Sequence, residues 1–384
     1  MKISKIIAVY FSGFLVGVGL VLFPAAATIL TDTAFHGLNS AQYGSIFIPQ
    51  IILAIIAAIS APKVAEKIGM KKVMLFGLVS LLLSMIVLAG SHLFLEGNID
   101  YWIIMFATAL IGAGFGFTIT ALNPFAFSLF PGKETSAVTA MHILLGLGTA
   151  SSSLLLNLFV DSGIWWGAPI LVAVFIFIIM LLTLRLPLHL SVEEKKEQTM
   201  KQKTPIRIWL FAVAVFLYGA CEATFGNFGA VFLEKEGGLT AAKASVGLAI
   251  FWGFVTIGRV VFTFIALRFS TRILYLVTPF LVAVVFYFLP TATGEQLLFF
   301  YMAVGGLGLS FLFPKSISAA TEEFPKYAAF ISGALVASIQ LGTGFSSNII
   351  GFLNEHYSLG TLVQFSSLYA LLLGILLLYM NYTK

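Results

Sequence analysis

The chain has 384 residues, 60% of them hydrophobic and only 10% charged, with a formal net charge of +5 and a mean hydropathy of +1.04. That composition excludes an ordinary soluble domain and points to a chain that lives largely in lipid. A single cysteine, Cys221, rules out an internal disulfide, and no Cys/His cluster has metal-ligand spacing, so neither a metal nor another cofactor is expected.

A bilayer core about 30 Å thick takes roughly 20 apolar residues per helical crossing. Twelve stretches qualify: 6–30, 41–61, 73–92, 101–128, 137–159, 165–186, 208–233, 244–267, 273–289, 296–320, 328–353 and 359–382. Only short loops remain between them, which leaves no room for a soluble catalytic domain. No nucleophile–base pair stands anywhere in the chain, so an enzyme is not expected. The first stretch is too long for the apolar part of a cleaved signal peptide, and a second follows within about a dozen residues.

The basic residues give the orientation. All but three of the 21 lysines and arginines fall on the side of the N-terminus. Lys235 and Lys243 lie opposite, and Arg259 lies within a span. Positive charge collects on the cytoplasmic side, so both termini are expected there, most naturally in a bacterial inner membrane. The net charge is thus a matter of topology and not a sign of nucleic-acid binding. Trp102, Trp165, Trp166 and Trp209 fall near span ends, where an aromatic belt belongs.

Residues 188–206, containing "SVEEKKEQTMKQK", form the longest polar connection and divide the chain into halves 1–187 and 207–384. This segment reads as a solvated cytoplasmic linker. "GAGFGF" at 112–117 is echoed by "GLGLSF" at 306–311, and "LGTASS" at 147–152 by "LGTGFS" at 341–346, each 194 positions on. Phe130-Pro131 and Phe324-Pro325 keep the same offset. Six spans per half give both halves the same orientation, a plan that puts a solute cavity between them near the midplane. No strand precedes "GAGFGF", so its glycines read as close helix packing and not as a nucleotide loop.

"PKVAEKIGMKK" at 62–72 resembles the loop signature of the major facilitator superfamily. Glu66 takes the acidic position, Lys67 the first basic one, Gly69 the glycine, and Lys71 and Lys72 the closing pair, while Pro62 replaces the leading glycine. "ALRFSTR" at 266–272 keeps only Arg268 and Arg272 of the same pattern. The resemblance implies an all-α integral membrane protein of twelve transmembrane helices in two pseudo-symmetric six-helix halves. It also implies a cytoplasmic gate at Glu66, Lys67, Gly69 and Lys71. Within the superfamily, four stretches resemble the fucose–proton symporters and the sodium-dependent glucose transporter-like proteins. These are "ALNPFAF" at 121–127, "AMHILLGLG" at 140–148, "FLYGACEATFGNF" at 216–228 and "FWGFVTIGR" at 251–259. One departure matters: the acid those symporters carry in span 4 is replaced by Ile119. No acid lies within span 1 either, because Asp32 is beyond its end.

Glu222 is the interior carboxylate that remains. It stands about 14 residues, or roughly 21 Å, from the cytoplasmic end of span 7. A charge at that depth costs about 2.5–3.5 kcal/mol on insertion scales. Two readings suit it: proton coupling or substrate contact, and a structural acid bonded to a neighbouring helix. Arg259 lies about 9 Å nearer the cytoplasm along the axis, a gap that favours snorkelling toward the gate over pairing with Glu222. Gln50 and Gln340 near mid-depth, and Asn227 slightly outside it, could bind a hydroxylated substrate or join helices. Trp252 offers a flat face to a sugar ring, or ordinary packing. His142 and Asn123 suit structural or gating roles.

The function expected is secondary active transport of a small organic solute by alternating access. A sugar or other polar neutral compound is the first choice, with a proton or sodium ion as coupling ion and a monomer as the working unit. The alternatives are a proton-coupled exporter of drugs or metabolites and, of another class, a membrane sensor that does not transport.

Overall fold

A computed structural model describes residues 2–95, 99–160, 162–188 and 204–383. Among the described residues all regular structure is helical. Twelve long helical spans follow one another: α1 Lys2–Ala25, α2 Ser40–Ile68, α3 Met70–Leu93, α4 Ile99–Leu129, α5 Ala137–Val160, α6 Gly167–Arg185, α7 Ile206–Lys235, α8 Ala241–Ala266, α9 Arg272–Thr291, α10 Glu295–Glu323, α11 Ala328–Leu353 and α12 Leu359–Tyr382. All but α11 are individually apolar and long enough to cross a membrane. α11 is long enough too, but it carries Gln340, Thr343, Ser346, Ser347 and Asn348.

Local chemistry explains how the spans begin and end. Gly69 separates α2 from α3 with φ +88°, a conformation that side chains resist, so two long helices reverse direction over one residue. Glu236 accepts the N–H groups of Leu359 (2.6 Å) and Gly360 (2.7 Å), capping the first turn of α12. Four expected spans are interrupted; α2 breaks at Ile46 and α12 at Ser366, and two others more fully. The first helix stops at Ala25, one residue after Pro24, and a separate turn covers Ala27–Leu30. α10 consists of Glu295–Leu309 and Leu312–Glu323, with a break at Ser310 and Phe311.

The first six spans and the last six pack in the same way. α1 packs on α5 as α7 packs on α11, α2 on α4 as α8 on α10, and α3 on α6 as α9 on α12. The repeat extends to individual contacts. Gly17 lies against the Leu145 carbonyl and Gly148 against that of Phe14; Gly219 lies against the Ile339 carbonyl and Gly342 against that of Phe216. The second pair of contacts is the first displaced by 202 positions on one helix and 194 on the other. Gly112 on the Gln50 carbonyl is matched likewise by Gly306 on the Phe251 carbonyl. Any side chain at these glycines would collide with main chain, so the backbones can approach this closely only because the residue is glycine.

The two halves meet along α2–α11 and α5–α8. At the end remote from the chain termini three hydrogen bonds cross the seam. Asn354 Nδ2 donates to Ser40 Oγ (2.7 Å), the Tyr43 hydroxyl to the Asn227 carbonyl (2.7 Å), and Asn157 Nδ2 to the Ala242 carbonyl (3.0 Å). Gly44 and Gly351 cross there so closely that a Cβ on Gly351 would sit 2.8 Å from Gly44 Cα. This remote end is closed.

Candidate functional site

Tyr218 and Glu222 are four residues apart on α7 and therefore share one face of it. The Tyr218 hydroxyl donates to Glu222 Oε2 at 2.5 Å. Tyr218 is fully buried, whereas Glu222 retains some exposure although it stands mid-helix. The residue thus keeps a partial opening between helices, while its carboxyl group is largely enclosed.

Arg259 comes to the same place from α8, and the reason lies in α10. Pro314 has no N–H to donate to the carbonyl four residues back, which is that of Ser310. Arg259 Nε takes that acceptor at 3.2 Å. The guanidinium acts electrostatically on Tyr218 and Glu222, and on His142 of α5 across the seam between the halves. Arg259 is thus held toward α10 in the bundle interior, near enough for its charge to act on Glu222, with no ion pair between the two among the described residues. One acid, one phenol and one guanidinium make a charge-balanced group in the bundle interior. Such a group can take up and release a proton at the carboxylate, or hold a polar ligand against it.

The other candidate residues fall in three places. Trp252 lies beside this group, its ring edge over Gly226, one turn along α7 from Glu222. Its indole N–H is buried with no hydrogen-bond partner. Gln50 is buried on α2, its side-chain carbonyl also without a partner, next to Ile51, which fills the space at Gly344 across the seam. Gln340 is half-buried on α11. Asn227 belongs to the remote seam: its Nδ2 donates to Ser347 Oγ at 2.8 Å and its carbonyl accepts from Tyr43.

The predicted gate loop is dispersed. Glu66 and Lys67 are exposed, and Glu66 has no ion pair among the described residues. Lys71 donates to the Leu184 (2.8 Å) and Leu186 (2.7 Å) carbonyls, closing the end of α6. Arg272, its counterpart 201 positions on, reaches Asn381 of α12 at 2.7 Å in the same manner. Arg259 is not part of this loop.

Sequence reasoning missed Tyr218 and the Ser310–Pro314 break. The signal for the second was available, since a proline inside an apolar span always frees a carbonyl. The pseudo-symmetry stops at these residues: Tyr218, Glu222 and Arg259 correspond to Val16, Leu20 and Ala58 in the first half. A cleft of about 650 Å³ between α3 and α6 is lined by Leu82, Ile86, Phe177 and similar side chains, away from this chemistry.

Comparison with known proteins places the chain. Residues 6–347 match the Major Facilitator Superfamily. The glucose/mannose transporter GlcP of Bacillus subtilis (strain 168) is 24% identical over 322 residues, 79% of each chain. Among solved structures, a point mutant of the nucleoside transporter NupG superposes with a TM-score of 0.78 at 17% identity over 99% of both chains. A D-xylose–proton symporter superposes with 0.75 at 14% identity, over 96% of this chain and 97% of that one. The chain belongs to the Major Facilitator Superfamily, as a multi-pass membrane transporter and not an enzyme.

Proposed function

We propose that the protein carries a small polar neutral solute, a sugar first among them, across the membrane by alternating access, with proton coupling at Glu222. The observation that carries this reading is the Tyr218–Glu222–Arg259 group, partly open between helices in the middle of the bundle. The buried Trp252 N–H and Gln50 carbonyl are a spare donor and a spare acceptor in opposite halves, each able to bond a hydroxyl group of an uncharged ligand. The functions of GlcP and of the xylose–proton symporter support the same class. Halves 1–187 and 207–384 would rock as units, working as a monomer. Their linker, 188–206, has its greater part, 189–203, outside the described residues. The excess of lysine and arginine supports a cytoplasmic placement of the face bearing the termini, and on that reading the seam closed here is the outer one. Glu66, Lys67, Gly69 and Lys71 would close the inner face when the halves tilt the other way.

Reconstituted vesicles supplied with glucose, mannose, xylose or a nucleoside, under an imposed proton or sodium gradient, test the reading. A hexose should accumulate with the proton gradient. In Glu222→Gln, which mimics the protonated acid, the accumulation ratio should fall toward one while exchange across the membrane persists. Accumulation equal to the parent's would make Glu222 a structural acid. Expulsion of organic cations in exchange for protons would favour the exporter.

A further inference from the structure

We infer that Tyr218 and Arg259 are positioning residues for Glu222: together they hold its carboxylate in one rotamer, with one fixed counter-charge, at the surface where solute binds. This rests on the coupling role proposed for Glu222.

The geometry is specific. The Tyr218 ring is fixed by stacking on Phe313 (centroids 6.0 Å apart, planes at 18°), so its hydroxyl is aimed and does not wander. That hydroxyl is enclosed, and Glu222 Oε2 at 2.5 Å is its acceptor. A phenol whose proton is committed to the carboxylate orients it without surrendering that proton. Arg259 is pinned through Nε to the carbonyl that Pro314 leaves free, so its charge acts on Tyr218 and Glu222 from a fixed point without an ion pair to the acid. A counter-charge held in this way stays in place when Glu222 is neutral, and the acid returns to the same pose at each cycle.

The charged or titratable groups facing Glu222 are Tyr218 of α7 and Arg259 of α8; His142 of α5 faces Arg259 from the other half. Ser310 of α10 contributes only its carbonyl to the group. The proton balance is simple. One proton binds the Glu222 carboxylate from one face and leaves to the other, and Tyr218 keeps its own.

Tyr218→Phe keeps the ring and removes the donor. Exchange and gradient-driven accumulation of this variant are measured in reconstituted vesicles. The pH profile of exchange should move toward higher pH by about one unit, because the charged form loses a hydrogen bond. Gradient-driven accumulation should fall severalfold. Arg259→Gln should lose accumulation, and Arg259→Lys should recover part of it, since a charge remains but not the forked geometry. A Tyr218→Phe profile superimposed on the parent's, with full accumulation, overturns the inference. If that variant does not fold, Glu222→Asp decides the matter, because its shortened acid cannot hold the same contact. A parent-like profile there overturns the inference equally. Glu222→Gln separates the two levels. If it still accumulates solute, the coupling role itself fails. If it is uncoupled while Tyr218→Phe behaves as the parent, only the positioning role fails.

Discussion

His36 lies in the connection between α1 and α2, with Nδ1 3.0 Å from Asp100 Oδ2 and Trp165 edge-on to its ring at 5.4 Å. Burial lowers the imidazole below its ordinary value, and Asp100 offsets this only in part. The folded state therefore prefers neutral His36. Its contribution to stability is complete above the ordinary value of 6.5 and declines as the pH falls below it. Thermal melts of purified protein should show a midpoint that drops on acidification from pH 7.5 to 5. Asp100→Asn should deepen the drop, and a parent midpoint independent of pH would contradict this account. Residues differ in how openly they announce themselves in a sequence. Glu222 was legible because an isolated carboxylate in an apolar run has a known cost. Its partnership with Arg259 was not, because it depends on the local break that Pro314 makes in a third helix.

Among elements, the close crossings of α1 with α5 and of α7 with α11 set the frame. Valine at Gly219 would drive its side chain into the Ile339 main chain. It should cost about 1–3 kcal/mol or prevent folding. Alanine at Gly253, where nothing lies within 4 Å, should leave the melting temperature unchanged. Equal melting of the two variants would remove the α7–α11 crossing from the account. The spans themselves were legible because a bilayer demands long apolar runs, and the repeat because the seams demand glycine at matching positions. The interruptions at Ala26, Ile46, Ser310–Phe311 and Ser366 were not, because hydropathy measures what faces lipid and is silent on continuity of backbone hydrogen bonds.

For the whole molecule, alternating access requires the remote seam to part. Ser40 and Asn354 face each other across it at 2.7 Å, and the native Cys221 is fully buried. Cysteines at both positions, joined by a short bis-thiosulfonate linker, should arrest uptake until a reductant is added. A membrane-impermeant linker should reach them from outside intact cells if the termini are cytoplasmic. Undiminished uptake in the joined protein would show that this seam does not open. The glycines where helices cross within each half and the working residues also sit at different positions. The glycines recur in both halves and tolerate nothing larger, while Tyr218, Glu222 and Arg259 have apolar counterparts, Val16, Leu20 and Ala58, so their side-chain chemistry is not part of the repeat. A lineage built this way can change its diet or its energy source through a few substitutions and inherit the skeleton untouched.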